Sequence, residues 1–108
     1  MTEDASQPDE QRLALLRDIV TNLIEDLKKG AGDKDRRRQV EEWLRTLSEK
    51  YPEFAIETGL RDYYIAEAQR LRADFDKITE IGEKLAIGRG IESFLDRAAE
   101  YDRRIAGK

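Results

Sequence analysis

The chain has 108 residues, of which 41 % are charged, and it contains neither cysteine nor histidine. This length predicts one domain, and the missing residue types exclude thiolate nucleophiles, disulfides, thiolate or imidazole metal ligands, and imidazole acid–base catalysis. The net charge of −4 comes from residues 1–10, so the rest of the chain is neutral overall and is not a strongly basic nucleic-acid binder.

The N-terminal segment is acidic and polar. Residues 1–11, MTEDASQPDEQ, lack the basic and apolar regions of a signal peptide. No apolar run approaches the roughly 20 residues that span a bilayer. We therefore expect no membrane association and a cytoplasmic location. We also expect residues 1–7 to form a disordered acidic tail and residues 8–108 to form a single helical-bundle domain.

Helical periodicity begins close to Pro8. Ser6 followed by Pro8 is typical of a helix start. Apolar residues then recur at helical spacing, at Leu13, Leu16, Val20, Leu23 and Leu27. Two lysines and Gly30 are typical of a helix end, because cations suit the negative end of the dipole and glycine tolerates a left-handed cap. We predict a first helix at about 8–29.

Further helices follow a short loop. Asp33 or Asp35 can cap the next helix, and Pro52 disfavours helix at the residue before it. Beyond Pro52, apolar residues keep helical spacing as far as Leu85. The predicted elements are a second helix at 34–50, a short helical piece at 53–58 and a long third helix at about 60–86.

Three glycines fall within residues 82–90, GEKLAIGRG. The register of Leu71 and Leu85, continued onward, meets polar residues. The next apolar residues have a different phase, at Ile87, Ile91, Phe94, Ala98, Tyr101 and Ile105. A straight helix with one buried face cannot satisfy both sets, so we predict a reversal at 85–90, where Gly88 and Gly90 allow a turn. The alternative is a continuous helix that contacts a different neighbour past this point.

These elements predict an all-α fold, an antiparallel bundle of three to four helices. The alternating spacing of three and four residues suits nearly parallel helix packing. The apolar stripes of the first and third helices are wide. We therefore expect two copies of the chain to complete a larger bundle as a homodimer.

A pair of carboxylates offers an enzymatic alternative. Glu80 and Glu83 lie on neighbouring helical turns, and such a pair holds Mg²⁺ when a second helix adds acids. The segment EIGEKLA resembles the E-x-x-E helix of the all-α nucleotide pyrophosphohydrolases, and this resemblance implies Mg²⁺-dependent nucleotide hydrolysis. The family's second acidic pair is reduced here to Glu100, whose partner is replaced by a base. Asp96 and Glu92 are alternative ligands.

A basic run and two aromatic residues are the candidates for partner binding. Arg36, Arg37 and Arg38 lie in the first turn of the second helix, where the dipole disfavours cations, which favours an anionic partner. Trp43 and Tyr63 flank the apolar stripes, and tyrosine, tryptophan and arginine are the usual interface anchors. A solvated surface is the alternative for the arginines, and packing at the edge of the core is the alternative for the aromatic pair.

The leading hypothesis is therefore a non-enzymatic protein–protein interaction module, a small adaptor, regulatory or accessory subunit that acts through helix faces. It has no catalytic residues and no cofactor. Two alternatives stay open: the Mg²⁺-dependent hydrolase, and an accessory subunit of a nucleic-acid-associated complex that uses the arginine run.

Overall fold

The computed structural model describes the backbone of residues 2–107 and the side chains of residues 9–107. Within them the elements are α1 (Thr2–Lys28), α2 (Lys34–Lys50), a 3₁₀ helix (Pro52–Phe54), α3 (Ile56–Lys77) and α4 (Ile81–Ala106). The described residues contain no strand, and the predicted all-α class is confirmed. No helix in this part of the chain combines the length and the apolar character that crossing a bilayer requires.

Contacts between helices show their directions. Ile24 of α1 faces Gly59 of α3, and Gly30, just after α1, faces Arg70, so α1 and α3 run in the same sense. On α2 and α4 the contacts run the other way, through the pairs Arg37–Glu67, Glu41–Tyr64, Arg61–Asp102 and Gly90–Leu71. The order is therefore up-down-up-down around α3, as in simple antiparallel bundles.

The core lies around α3, which packs against each of the other three helices. Its buried side chains come from every helix: Val20, Leu27, Leu44, Leu47, Ile56, Leu60, Tyr63, Tyr64, Ala98 and Tyr101. Full burial of a leucine or isoleucine side chain contributes about 1.5–3 kcal/mol. The central position of α3 explains why its buried surface is wider than a single stripe.

The molecule is long, with principal extents of 69 × 30 × 17 Å and a radius of gyration of 17.4 Å. A compact chain of this length has a radius of gyration of about 13 Å. At one end, the guanidinium of Arg17 already lies over the ring of Phe54, before α3 begins, so the first half of α1 extends past the bundle. At the other end, α3 and α4 continue as a two-helix hairpin.

The predicted reversal at 85–90 is wrong, because α4 is continuous from Ile81 to Ala106. The chain turns at 78–80 instead. Ile78 has extended backbone, with φ −95° and ψ 139°. The Glu80 carboxylate caps α4 by accepting two backbone N–H groups of its first turn, at 2.9 and 2.6 Å.

The register count failed because Leu71 and Leu85 belong to two antiparallel helices and not to one stripe. The predicted third helix therefore ends at Lys77. Ile81 and Leu85, which helical spacing assigned to the apolar stripe of the predicted third helix, are 83 % and 57 % exposed. The second apolar set is the face by which α4 packs on α3, since it includes the buried Ala98 and Tyr101.

Other boundaries agree to different degrees. The predicted helix at 34–50 is confirmed as α2. The helical piece expected at 53–58 is only partly correct: the 3₁₀ helix ends at Phe54, and Ala55, with φ 55°, separates it from α3. Residues 56–58 are the first turn of α3, which begins before the predicted start at about 60. The backbone is helical from Thr2, whereas a start near residue 8 was expected. The division into a tail at 1–7 and a single domain stays a prediction.

Candidate partner-binding cleft

A cleft lies between α2 and α4, both of which pack on α3. It comprises two adjoining cavities of about 340 and 510 Å³, which share Arg38, Glu41 and Arg97 among their lining residues. The walls come from α2 and α4. The floor comes from α3, through residues such as Tyr63 and Glu67.

The wall residues of the cleft recur at helical spacing, so each wall is one face of a helix. Asp33 caps α2 by accepting the backbone N–H of Arg36 at 2.9 Å, which fixes the first turn of that helix. The cleft-lining residues of α2 then follow at helical spacing: Lys34, Arg37, Arg38, Glu41, Glu42 and Arg45. Those of α4 include Ile87, Gly90, Phe94, Arg97, Tyr101 and Arg104.

Aromatic residues connect both walls to α3 and connect the walls to each other. The Tyr64 hydroxyl donates to the Glu41 carboxylate at 3.0 Å, and Nε of Arg45 donates to the Tyr101 hydroxyl at 3.1 Å. The Tyr64 ring stacks on Phe94 and Tyr101, with centroids 6.2 and 5.8 Å apart. These contacts hold α2 and α4 against α3, so the cleft is preformed.

Tyr63 and the buried Tyr64 beneath the cleft are neutral hydrogen-bonding groups. Burial raises the pKa of Tyr63 well above its ordinary value, and the Glu41 carboxylate raises it further. Burial and the same carboxylate raise the pKa of Tyr64. Both hydroxyls therefore stay protonated at physiological pH and carry no charge into the cleft.

Six cations and four carboxylates line the cleft, in a chain whose net charge is −4. Some of these charges are paired within the chain. Arg37 forms an ion pair with Glu67 at 3.4 Å, and Glu67 also forms one with Arg70. On α4, Arg104 forms an ion pair with Glu100 at 3.1 Å. These pairs join α2 to α3 and stabilise the exposed side of α4, and they leave other cations unneutralised.

Four of the lining cations form no ion pair with any carboxylate of residues 9–107, and one of the four, Arg45, donates a hydrogen bond to Tyr101 instead. The other three are Lys34, Arg38 and Arg97. We call them the rim cations. All three are exposed. The Arg97 guanidinium lies over the rings of Tyr64 and Phe94, 5.7 and 5.8 Å from their centroids. A cationic rim around an aromatic floor suits a ligand that is both anionic and partly apolar.

The structure does not bring the five predicted partner-binding residues to one surface. Arg37 and Arg38 line the cleft, as does Tyr63. Tyr63 is 2 % exposed, so it belongs to the core and offers the floor only an edge. Arg36 lies on the other side of α2, towards α1, and Trp43 is 42 % exposed outside the cleft lining.

Sequence reasoning missed the residues that complete the cleft, chiefly Lys34, Arg45 and Arg97. A signal for Arg97 was present, because it follows Phe94 by three residues and precedes Tyr101 by four, within the apolar phase of α4. A cation beside such a stripe lies at the edge of a helix interface. Which helix faces it follows only from tertiary packing.

The four predicted metal ligands are not assembled within one copy. Glu80, Glu83, Asp96 and Glu100 all belong to α4 or its cap. The first and last are about 30 Å apart along the helix axis. Backbone hydrogen bonds occupy the Glu80 carboxylate and lower its pKa. Among the described side chains, no group of three or more acids is placed to hold a metal ion.

Comparison with known proteins adds no functional information. No family model, no curated protein and no solved structure matches the chain. The functional interpretation therefore rests on the geometry and charge of the cleft.

Proposed function

We propose that the chain is a non-enzymatic interaction module whose α2–α4 cleft binds an amphipathic helix of a partner protein. The polar face of that helix is acidic. The observation that carries the proposal is the three rim cations, which lack a carboxylate partner among the described side chains and surround an aromatic floor. Carboxylates of a bound helix complete these ion pairs, while its apolar face covers the floor.

The length of the cleft supports a helical ligand. Its lining residues on α4 run from Ala86 to Arg104, which corresponds to about 27 Å of helix axis. A bound helix of about 18 residues matches this length. Its packing between α2 and α4 repeats the side-by-side contacts that the bundle already uses.

The pattern of charges favours a protein over a nucleic acid. Glu41, Glu42 and Glu100 line the same cleft as the rim cations. They repel a continuous phosphate backbone, whereas a helix places its charges at separate positions and avoids them. The arginine run at 36–38 is also divided, since Arg36 faces away from the cleft.

Affinity purification from the native host, followed by mass spectrometry, tests this proposal. The double variant Arg38→Glu/Arg97→Glu reverses two rim cations. We expect it to lose the proteins that the wild type retains, with binding weakened by about tenfold or more. Raising the salt concentration should weaken wild-type binding in the same direction.

Arg12→Glu is the matched control, because Arg12 is an exposed arginine of α1 outside the cleft. Circular dichroism should show the same helicity for all three proteins. Retention of the same partners by the double variant would contradict the cleft as the binding site. Recovery of nucleic acid in place of protein would support the accessory-subunit alternative.

A further inference from the structure

An exposed apolar stripe runs along α4, and its first part lies beside Phe75 near the end of α3. Its positions follow a spacing of four, three, four and three residues: Ile81, Leu85, Gly88 and Leu95 are apolar, and the charged Glu92 lies between the last two. Ile81, Leu85 and Leu95 are 83 %, 57 % and 47 % exposed. A groove of about 450 Å³ lies along the first part of the stripe, and Phe75, Lys84 and Arg89 complete its lining. This surface is separate from the α2–α4 cleft, with which it shares no lining residue.

Gly88 has no packing role within one copy of the chain. A Cβ built on Gly90 would lie 3.1 Å from Leu71, and one built on Gly59 would meet Ile24, so those glycines permit close contacts between helices. A Cβ built on Gly88 would meet no atom within 4 Å. Glycine destabilises a helix interior relative to alanine. The missing side chain at Gly88 therefore suits the close approach of another helix from outside.

The stripe is complementary to itself about Gly88. Ile81 and Leu95 both lie seven residues from Gly88, and Lys84 and Glu92 both lie four residues from it. In an antiparallel pair of α4 helices that cross at Gly88, Ile81 of one copy faces Leu95 of the other. Lys84 of one copy then faces Glu92 of the other, so each contact occurs twice.

We propose that two copies of this chain associate through this stripe, with α4 antiparallel to α4 and the two Gly88 residues at the two-fold axis. The interface is isologous and therefore closes at two copies. It covers the exposed leucine and isoleucine side chains of both hairpins, which form a local bundle of four helices. The two partner-binding clefts stay open on other sides of the dimer, so this inference does not depend on the proposed function.

Sedimentation equilibrium and light scattering of the purified full chain, over a range of concentrations, test the proposal. The wild type should show a reversible monomer–dimer equilibrium. Leu85→Glu places two like charges near the axis and should weaken the dimer by at least about tenfold. Leu15→Glu is the matched control, since Leu15 is 63 % exposed on α1, and it should leave the dimer unchanged.

A charge exchange tests the antiparallel register. Lys84→Glu and Glu92→Lys should each weaken the dimer by about two- to fivefold. The double variant, which restores opposite charges across the axis, should recover most of that loss. A wild type that stays monomeric at millimolar concentration, a dimer unaffected by Leu85→Glu, or a double variant weaker than both single variants would each overturn the proposal.

Discussion

Alanine at position 59 tests how closely α1 approaches α3. A Cβ at Gly59 would lie 2.6 Å from Cδ1 and 3.0 Å from Cγ2 of Ile24, a half-buried residue between the two helices. Either α1 shifts or Ile24 leaves its rotamer, at a cost of about 1–3 kcal/mol. The higher helix propensity of alanine offsets about 1 kcal/mol of this. We expect Gly59→Ala to lower the free energy of unfolding by about 1 kcal/mol.

Gly88→Ala is the matched control, because it is the same substitution in a helix interior and its Cβ meets no atom within 4 Å. It should raise the free energy of unfolding by about 1 kcal/mol. Both variants are made in a Leu85→Glu background, so that self-association does not contribute. Urea unfolding followed by circular dichroism measures the free energy of unfolding of both variants. The difference between the two variants, about 2 kcal/mol, is the steric cost at position 59.

A third substitution identifies the neighbour responsible. Ile24→Ala removes the Cδ1, Cγ1 and Cγ2 atoms that the new Cβ would meet. In the Ile24→Ala background, Gly59→Ala should become stabilising, as Gly88→Ala is. A double-mutant cycle of the substitutions at 24 and 59 measures this coupling. Equal stabilisation by the two alanines while Ile24 is present would refute the close approach of α1 to α3.

Three further predictions concern charged and buried groups. Glu80→Gln should lower the melting temperature near neutral pH. The backbone hydrogen bonds to Glu80 lower its pKa, so its contribution is present above the unfolded pKa of about 4.3 and is lost as pH falls through the folded value. Glu67→Ala should cost about 1–3 kcal/mol in urea unfolding, because it leaves two arginines unpaired at the junction of α2 and α3. Because folding raises the pKa values of Tyr63 and Tyr64, their contribution to the free energy of unfolding is fully present below about pH 10 and is lost above it. Absorbance titration should therefore show both tyrosines ionising together with unfolding.

A different result would contradict each of these three predictions. A melting difference between wild type and Glu80→Gln that persists unchanged in strong acid would show that the carboxylate is not the cap. An unaltered urea midpoint in Glu67→Ala would mean that the ion pairs do not hold α2 to α3. Ionisation of Tyr63 and Tyr64 near pH 10 in the folded chain would contradict their burial.

Local signals decided which elements were predictable. The bounds of α2 follow from the Asp33 cap and from Pro52, both of which act through neighbouring backbone. The turn at 78–80 has neither glycine nor proline, and its cap is Glu80, a residue type outside the usual capping set. Gly88 and Gly90 gave a stronger turn signal at the wrong place, because helical glycines also serve close helix contacts.

The cleft was predictable only on one side. The arginine run marked the α2 wall, since Arg37 and Arg38 are neighbours in sequence. Arg97 joins them through the packing of α2 and α4 on a shared third helix, which periodicity does not encode. Trp43 and Tyr63 flank their stripes alike, but Tyr63 lies on the helix that is covered from three sides, so it is buried.

The 69 Å length of the molecule has a hydrodynamic consequence. Its longest dimension is more than twice the next, 30 Å, so a single copy has a larger Stokes radius than a spherical protein of 12.5 kDa. On a gel-filtration column calibrated with spherical standards, the monomer therefore elutes early and resembles a dimer. Its subunit number has to be determined by methods that report mass independently of friction, such as light scattering and equilibrium sedimentation.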